Sequence, residues 1–181
     1  TPRGGLSWRV GTTTSLYASY GGGVEIPAGN ETDPPATGIP GPATALSPLL
    51  DPILSHTIEA GVRRHAFFTT GFVRSFSVDA ALYRTVVNGE PVPYNSGRFY
   101  LTAGEVERRG LELGVGGAFA AGLSARLTGT FSTNTYERYR IDSTYLGVPG
   151  ASAVLDGNDV VGLPGLVMSG SIGWHPPAAS W

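Results

Sequence analysis

The chain has 181 residues, enough for one domain, and a formal net charge of −2 with no arginine-rich run that would suit nucleic acid. Charged residues make up only 14% of it, against roughly 25% in soluble domains, and 27 glycines with 14 prolines argue for strands and turns rather than helices. With no cysteine, disulfides and thiolate metal sites are excluded, and without an apolar run of about 18 residues so is a transmembrane helix, though not a transmembrane barrel.

In chain order, Arg3 to Val10 reads as a short strand closed by Gly11-Thr12-Thr13. From Thr14, Leu16, Ala18 and Tyr20 alternate with Tyr17 and Ser19, and the strand is expected to stop at Gly21-Gly22-Gly23. Val24 to Leu54 is a long proline-rich connection. A strand resumes from Ser55 to Arg63, with Ile58, Ala60 and Val62 on one face and Glu59 and Gly61 on the other. After a connection around Arg64 to Gly71, Phe76, Val78, Ala80 and Leu82 alternate with Ser77, Asp79, Ala81 and Tyr83. Asn88-Gly89 is a turn signal, lengthened by Pro91 and Pro93 into a connection over Asn88–Gly97. Phe99 to Gly117 is the next strand, with a bulge expected near Ala103-Gly104.

A turn over Ala118 to Ala121 leads into the longest alternating run. There Leu123, Ala125, Leu127, Gly129 and Phe131 oppose Ser124, Arg126, Thr128, Thr130, Ser132 and Asn134. This run of about fifteen residues exceeds the usual globular strand of about five or six and the roughly ten that cross a bilayer when tilted. Tyr139 to Leu163 reads as a long polar loop before a last strand with Leu166, Met168, Gly170, Ile172 and Trp174 on one face.

The connections alternate between short and longer. Up-and-down strands therefore collect the short turns at one end and the long loops at the other, as outer-membrane barrels do. The expected fold is all-β: an antiparallel transmembrane β-barrel segment of about seven or eight strands. Phe119 and Trp174 would then mark the periplasmic interface, and Tyr20 and Phe131 the outer one. Two other readings stay open on pattern alone, a small complete barrel with an adhesive or structural role and a soluble β-sandwich binding module.

Several stretches resemble TonB-dependent outer-membrane receptors: LYASYGGGVEIP (Leu16 to Pro27), Leu54-Ser55 with Glu59-Ala60-Gly61, DAALYRT (Asp79 to Thr85), FYLTAGEVERRGLELG (Phe99 to Gly114) and DGNDVVGLP (Asp156 to Pro164). They occur in the family's order over nearly the whole chain, and are most similar to receptors for ferric siderophores and related iron complexes. Val24, Thr102-Ala103 and Gly165 depart from the family's usual residues, which bears on ligand subclass more than on fold. The resemblance implies that residues 1–181 are part of a barrel domain of about 22 strands with a plugged lumen. The signal peptide, TonB box, plug and final strands would lie outside them. It further implies the bacterial outer membrane as location. The partners it implies are outer-membrane lipid, a ferric siderophore or other large metal chelate, and TonB acting through the plug.

No catalytic constellation stands out, and neither an enzyme nor a cofactor is expected. His56, His65 and His175 lack metal-ligand spacing, and Asp156-Gly157-Asn158-Asp159 reads as a turn rather than a calcium loop. Glu59, Asp79, Arg108, Glu112 and Arg126 fall on polar faces, either touching substrate or plug or forming an ion network on the lumen wall. Tyr136, Arg138, Tyr139 and Arg140, at the outer end of a strand, are the candidate ligand residues. Tyrosine and arginine together suit an anionic iron chelate through stacking and charge-assisted hydrogen bonds.

Overall fold

A computed structural model describes residues 1–26, 52–94, 99–141 and 150–176. Seven antiparallel strands form one sheet in chain order: β1 (Arg3–Val10), β2 (Thr14–Glu25), β3 (Ile53–Phe67), β4 (Val73–Tyr94), β5 (Phe99–Phe119), β6 (Leu123–Arg138) and β9 (Leu166–Trp174). A separate two-stranded hairpin, β7 (Arg140–Ile141) with β8 (Ala153–Val154), lies between β6 and β9. The turns after β1, β3 and β5 share one end of the sheet and the connections after β2, β4 and β6 the other; the one after β4 spans only residues 95–98, so the expected sorting by length fails there.

Register turns the alternation of single strands into two continuous surfaces. One rung runs Trp8, Leu16, Val62, Ala80, Leu113, Gly129 and Met168 across all seven strands. The next rung towards the long connections runs Leu6, Ala18, Ala60, Leu82, Leu111, Phe131 and Leu166. Leu6, Trp8, Leu82, Leu127, Met168, Ile172 and Trp174 on this face are exposed. No second sheet covers them among the described residues. A β-sandwich would bury this face against a partner sheet, so the bare apolar surface argues against the soluble module and for lipid. The opposite face carries Ser7, Tyr17, Glu59, Asp79, Glu112, Thr128 and Ser169.

Three strands outrun their expected limits, β3 by running on through Arg64 to Phe67. β2 does not stop at its glycines: Gly21, Gly22 and Gly23 pair with Thr57, His56 and Ser55. The ladder needs only backbone groups, and a Cβ at Gly23 would lie 2.5 Å from Ser55 Oγ. Asn88-Gly89 is not the hairpin turn. β4 continues to Tyr94, and its pairing resumes at Glu90 and Ala103 beyond Gly89, whose φ is +80°. β3 has ended by then, so Pro91 and Pro93 sit on an unpaired edge where a missing N–H breaks no ladder bond. The expected bulge at Ala103-Gly104 is instead a register shift one strand over, where Glu105 pairs with Arg138 and Val106 with Tyr136. The turn after β5 uses Ala121 (φ +60°) and Gly122 (φ +76°).

Two glycines on the polar face make room for tyrosines. A Cβ at Gly61 would meet the Tyr17 ring at 2.6 Å, and one at Gly110 would meet Tyr83 Oη at 2.7 Å and Phe131 O at 2.5 Å. Each tyrosine thus lies flat across its neighbouring strand. Gly114 is looser, its nearest neighbour being 3.7 Å away. Gly110→Ala should therefore destabilise the protein by about 1–3 kcal/mol, while Gly114→Ala should be close to neutral. Thermal unfolding in detergent, followed by the mobility change of heated and unheated samples, separates the two.

Candidate functional site

The polar face holds a ladder of ionic and hydrogen-bonded groups. Tyr17 Oη donates to Glu59 Oε1 at 2.6 Å, and the Arg63 guanidinium lies 4.7 Å from the centre of the Tyr17 ring. Arg63 in turn reaches Asp79 at 3.7 Å. β2, β3 and β4 are thereby stitched together by side chains that would be costly against hydrocarbon. Thr57 and Thr85 share a hydrogen bond of 2.9 Å one rung further on.

Nearer the long connections, Arg108 pairs with Glu90. Strict alternation from buried Val87 would turn Glu90 to the apolar face. The left-handed Gly89 breaks the alternation and brings it back to Arg108. Beside this pair lies an open groove of about 440 Å³ whose lining includes Glu25, Ile53, Ser55, Thr85 and Val87.

The polar face becomes apolar at that end. Ile53, Val87, Val106 and Tyr136 are buried together with Tyr139 and Val160, and Ile141 and Leu155 pack against them. Val106 is fully buried. The lid of this cluster is the segment between β6 and β9, which was expected to be a polar loop. Its described part follows β6 as a strap: Val160 N–H donates to Asn134 O at 2.9 Å, Tyr136 N–H to Asn158 O at 3.0 Å and Gly157 N–H to Tyr136 O at 2.7 Å. Asp156-Gly157-Asn158-Asp159 is a turn. Asn158 N–H closes it onto Leu155 O at 3.1 Å, Gly157 supplies φ +78°, and Asp156 Oδ1 accepts from Tyr139 N–H at 2.7 Å.

This arrangement divides the four candidate ligand residues. Tyr136 and Tyr139 come together with ring centres 4.9 Å apart, but both are buried under the strap. Burial pushes the Tyr139 phenol pKa above its ordinary value, with the neighbouring Tyr136 adding to the effect. Arg138 is exposed and paired across the ladder with Glu105 at 2.9 Å. Arg140 is exposed on β7. The two tyrosines thus hold the strap down, and the two arginines reach solvent. Sequence reading missed Val160, Leu155 and Ile53 as partners of the tyrosines. Val87 and Val106, apolar letters standing opposite each other in two polar rows, were the available signal.

A sheet with one bare apolar face and an ionic opposite face, its strands long enough to cross a bilayer, is the wall of an outer-membrane β-barrel. A family profile described as "TonB dependent receptor-like, beta-barrel" matches residues 1–181, and the chain belongs to that family. Proteins of this family are transporters of the bacterial outer membrane, not enzymes. Comparison with curated proteins gives no match.

Two predictions test these assignments. Leu127→Arg, on the exposed apolar face, should cost about 2–4 kcal/mol of stability in lipid, while Thr128→Arg on the ionic face should cost much less; equilibrium refolding into vesicles measures both. The raised pKa of Tyr139 means that the folded state favours the neutral phenol. Its contribution to holding the strap is complete below the ordinary tyrosine pKa of about 10 and is lost as pH rises through the higher folded value. Trypsin cleavage after Arg140 should therefore rise steeply in that alkaline window in the wild type. In Tyr139→Phe that step should be smaller, and with Tyr136→Phe added it should be absent.

Proposed function

We propose that the protein takes up a ferric siderophore or a similar anionic iron chelate, captured at the end of the wall where the long connections lie. The observation that carries this reading is the exposed Arg140 on a strap that Tyr136 and Tyr139 fix in place. A guanidinium presented on a fixed support gives carboxylate, catecholate or hydroxamate oxygens paired, charge-assisted hydrogen bonds. The resemblance of Leu16 to Pro27 and of Phe99 to Gly114 to siderophore receptors supports the same class. In this reading the two tyrosines position the strap, Arg140 contacts ligand, and Arg138 frames the rim through Glu105. The ionic ladder from Tyr17 to Asp79 faces the lumen. TonB acts through a plug that the barrel encloses.

The test is uptake of ⁵⁵Fe carried by catecholate, hydroxamate and citrate chelators in iron-limited cells, with and without the gene. Deletion should abolish uptake of one chelate class. Arg140→Ala should weaken cell-surface binding of that chelate roughly tenfold, the size of one charge-assisted contact. Loss of cobalamin or oligosaccharide uptake instead, with every iron chelate still imported, would assign another substrate.

A further inference from the structure

On the apolar face, the hydrophobic rows end abruptly at a pair of arginines. In β5, Gly117, Val115, Leu113 and Leu111 follow Phe119 on that face, and the next residue in the row is Arg109. From Phe119 to Leu111 is about nine residues, the length of one tilted bilayer crossing. Arg109 therefore stands where hydrocarbon gives way to headgroups. Its direct ladder partner in β4 is Arg84, which follows Leu82 in the same way. On the neighbouring strands, Tyr20 Oη and His56 Nδ1 share a hydrogen bond of 2.8 Å on the same face, as an interfacial pair would.

Two like charges directly opposite on a sheet repel each other. Here a single carboxylate, Glu107, is shared between them. Arg84 Nε donates to Glu107 Oε2 at 2.7 Å, and Arg109 Nη1 lies 3.7 Å from Glu107 Oε1. The exposure is lopsided: the Glu107 side chain is 12% exposed, those of Arg84 and Arg109 59% and 65%. The anion is underneath and the guanidiniums are outermost. One carboxylate between two guanidiniums leaves the trio with a net positive charge.

We propose that Arg84 and Arg109 form a docking site on the outside of the barrel wall for the phosphate of an outer-leaflet lipid headgroup. The geometry supplies what such a headgroup requires: two forked donors, held by Glu107, one step above a lipid-covered apolar surface. The site lies on the face opposite the Tyr17–Glu59–Arg63–Asp79 ladder and is independent of the transported substrate.

The test uses the protein extracted from outer membranes, delipidated in a neutral detergent and mixed with phosphatidic acid or with diacylglycerol of the same chains. Bound lipid is counted by native mass spectrometry. Wild type should retain phosphatidic acid over diacylglycerol, and the preference should shrink as salt is raised. The pair Arg84→Gln and Arg109→Gln should lower phosphatidic acid retention roughly tenfold, while Arg126→Gln, which removes one positive charge on the ionic face, should leave it unaltered. Equal retention of the two lipids by wild type would overturn the proposal without recourse to any variant. So would equal losses in the double variant and in Arg126→Gln. Displacement of phosphatidic acid by millimolar inorganic phosphate would define a free-anion site and would also overturn it.

Discussion

Everything in this chain follows from a ladder that must satisfy its backbone within the sheet while its two faces meet different media. In hydrocarbon an unpaired N–H or C=O costs several kcal/mol, so the seven strands pair in simple sequence order. Once pairing is fixed, period-two alternation assigns every side chain to lipid or to the interior. A slip of one residue would exchange the two sets on a whole strand. Register is therefore held from both sides. The apolar rungs hold it by their preference for lipid, and the tyrosines that lie across Gly61 and Gly110 hold it by shape. A phenol over a glycine fits only when the two residues are at the right height.

The sequence told much about the strands and less about what joins them. β1, β6 and β9 are legible to the residue or nearly so, because each is a clean alternation between strong punctuation. Punctuation misleads where neighbouring strands override it. Gly21-Gly22-Gly23 and Asn88-Gly89 are stop signals in isolation, yet both lie inside paired strands. Pairing supplies hydrogen bonds that a local propensity cannot see, and glycine costs a ladder about 1 kcal/mol rather than forbidding it. The strap was illegible for another reason. Its apolar residues, Tyr139, Ile141, Leu155 and Val160, are too widely spaced to form a period. They acquire meaning only beside Val87 and Val106. Most of the long proline-rich connection and the 142–149 stretch lie outside the described residues.

The candidate site shows the same division. Tyrosine and arginine in one short run, Tyr136 to Arg140, suggested a cluster with a shared task. Strict alternation would set Tyr136, Arg138 and Arg140 on one face and Tyr139 on the other; the extra residue of β6 at the shift between Glu105 and Val106 breaks that alternation and brings the two rings together. Composition was informative about the chemistry present. Only the register could say that the rings are consumed in packing while the guanidiniums stay exposed, that of Arg138 in its pair with Glu105.

The buried tyrosines also explain why a transport wall tolerates an apolar cluster on its ionic side. A connection that merely floated above the rim would leave the outer end of the wall without a defined shape. Tyr136 and Tyr139 each bury a large ring, a body of the kind that dominates local packing energetics, and the backbone bonds from Val160, Tyr136 and Gly157 fix the strap along β6. The price is a stretch of inner wall that no longer offers polar contacts to a ligand. What it yields is a rigid platform from which Arg140 projects. Preorganisation of this sort improves binding by removing the cost of ordering a loop when ligand arrives. A strap with both an apolar anchor and a hydrogen-bonded edge opens only by losing both at once. The outer end of this wall thus owes its shape to apolar contacts that a survey of polar letters would pass over.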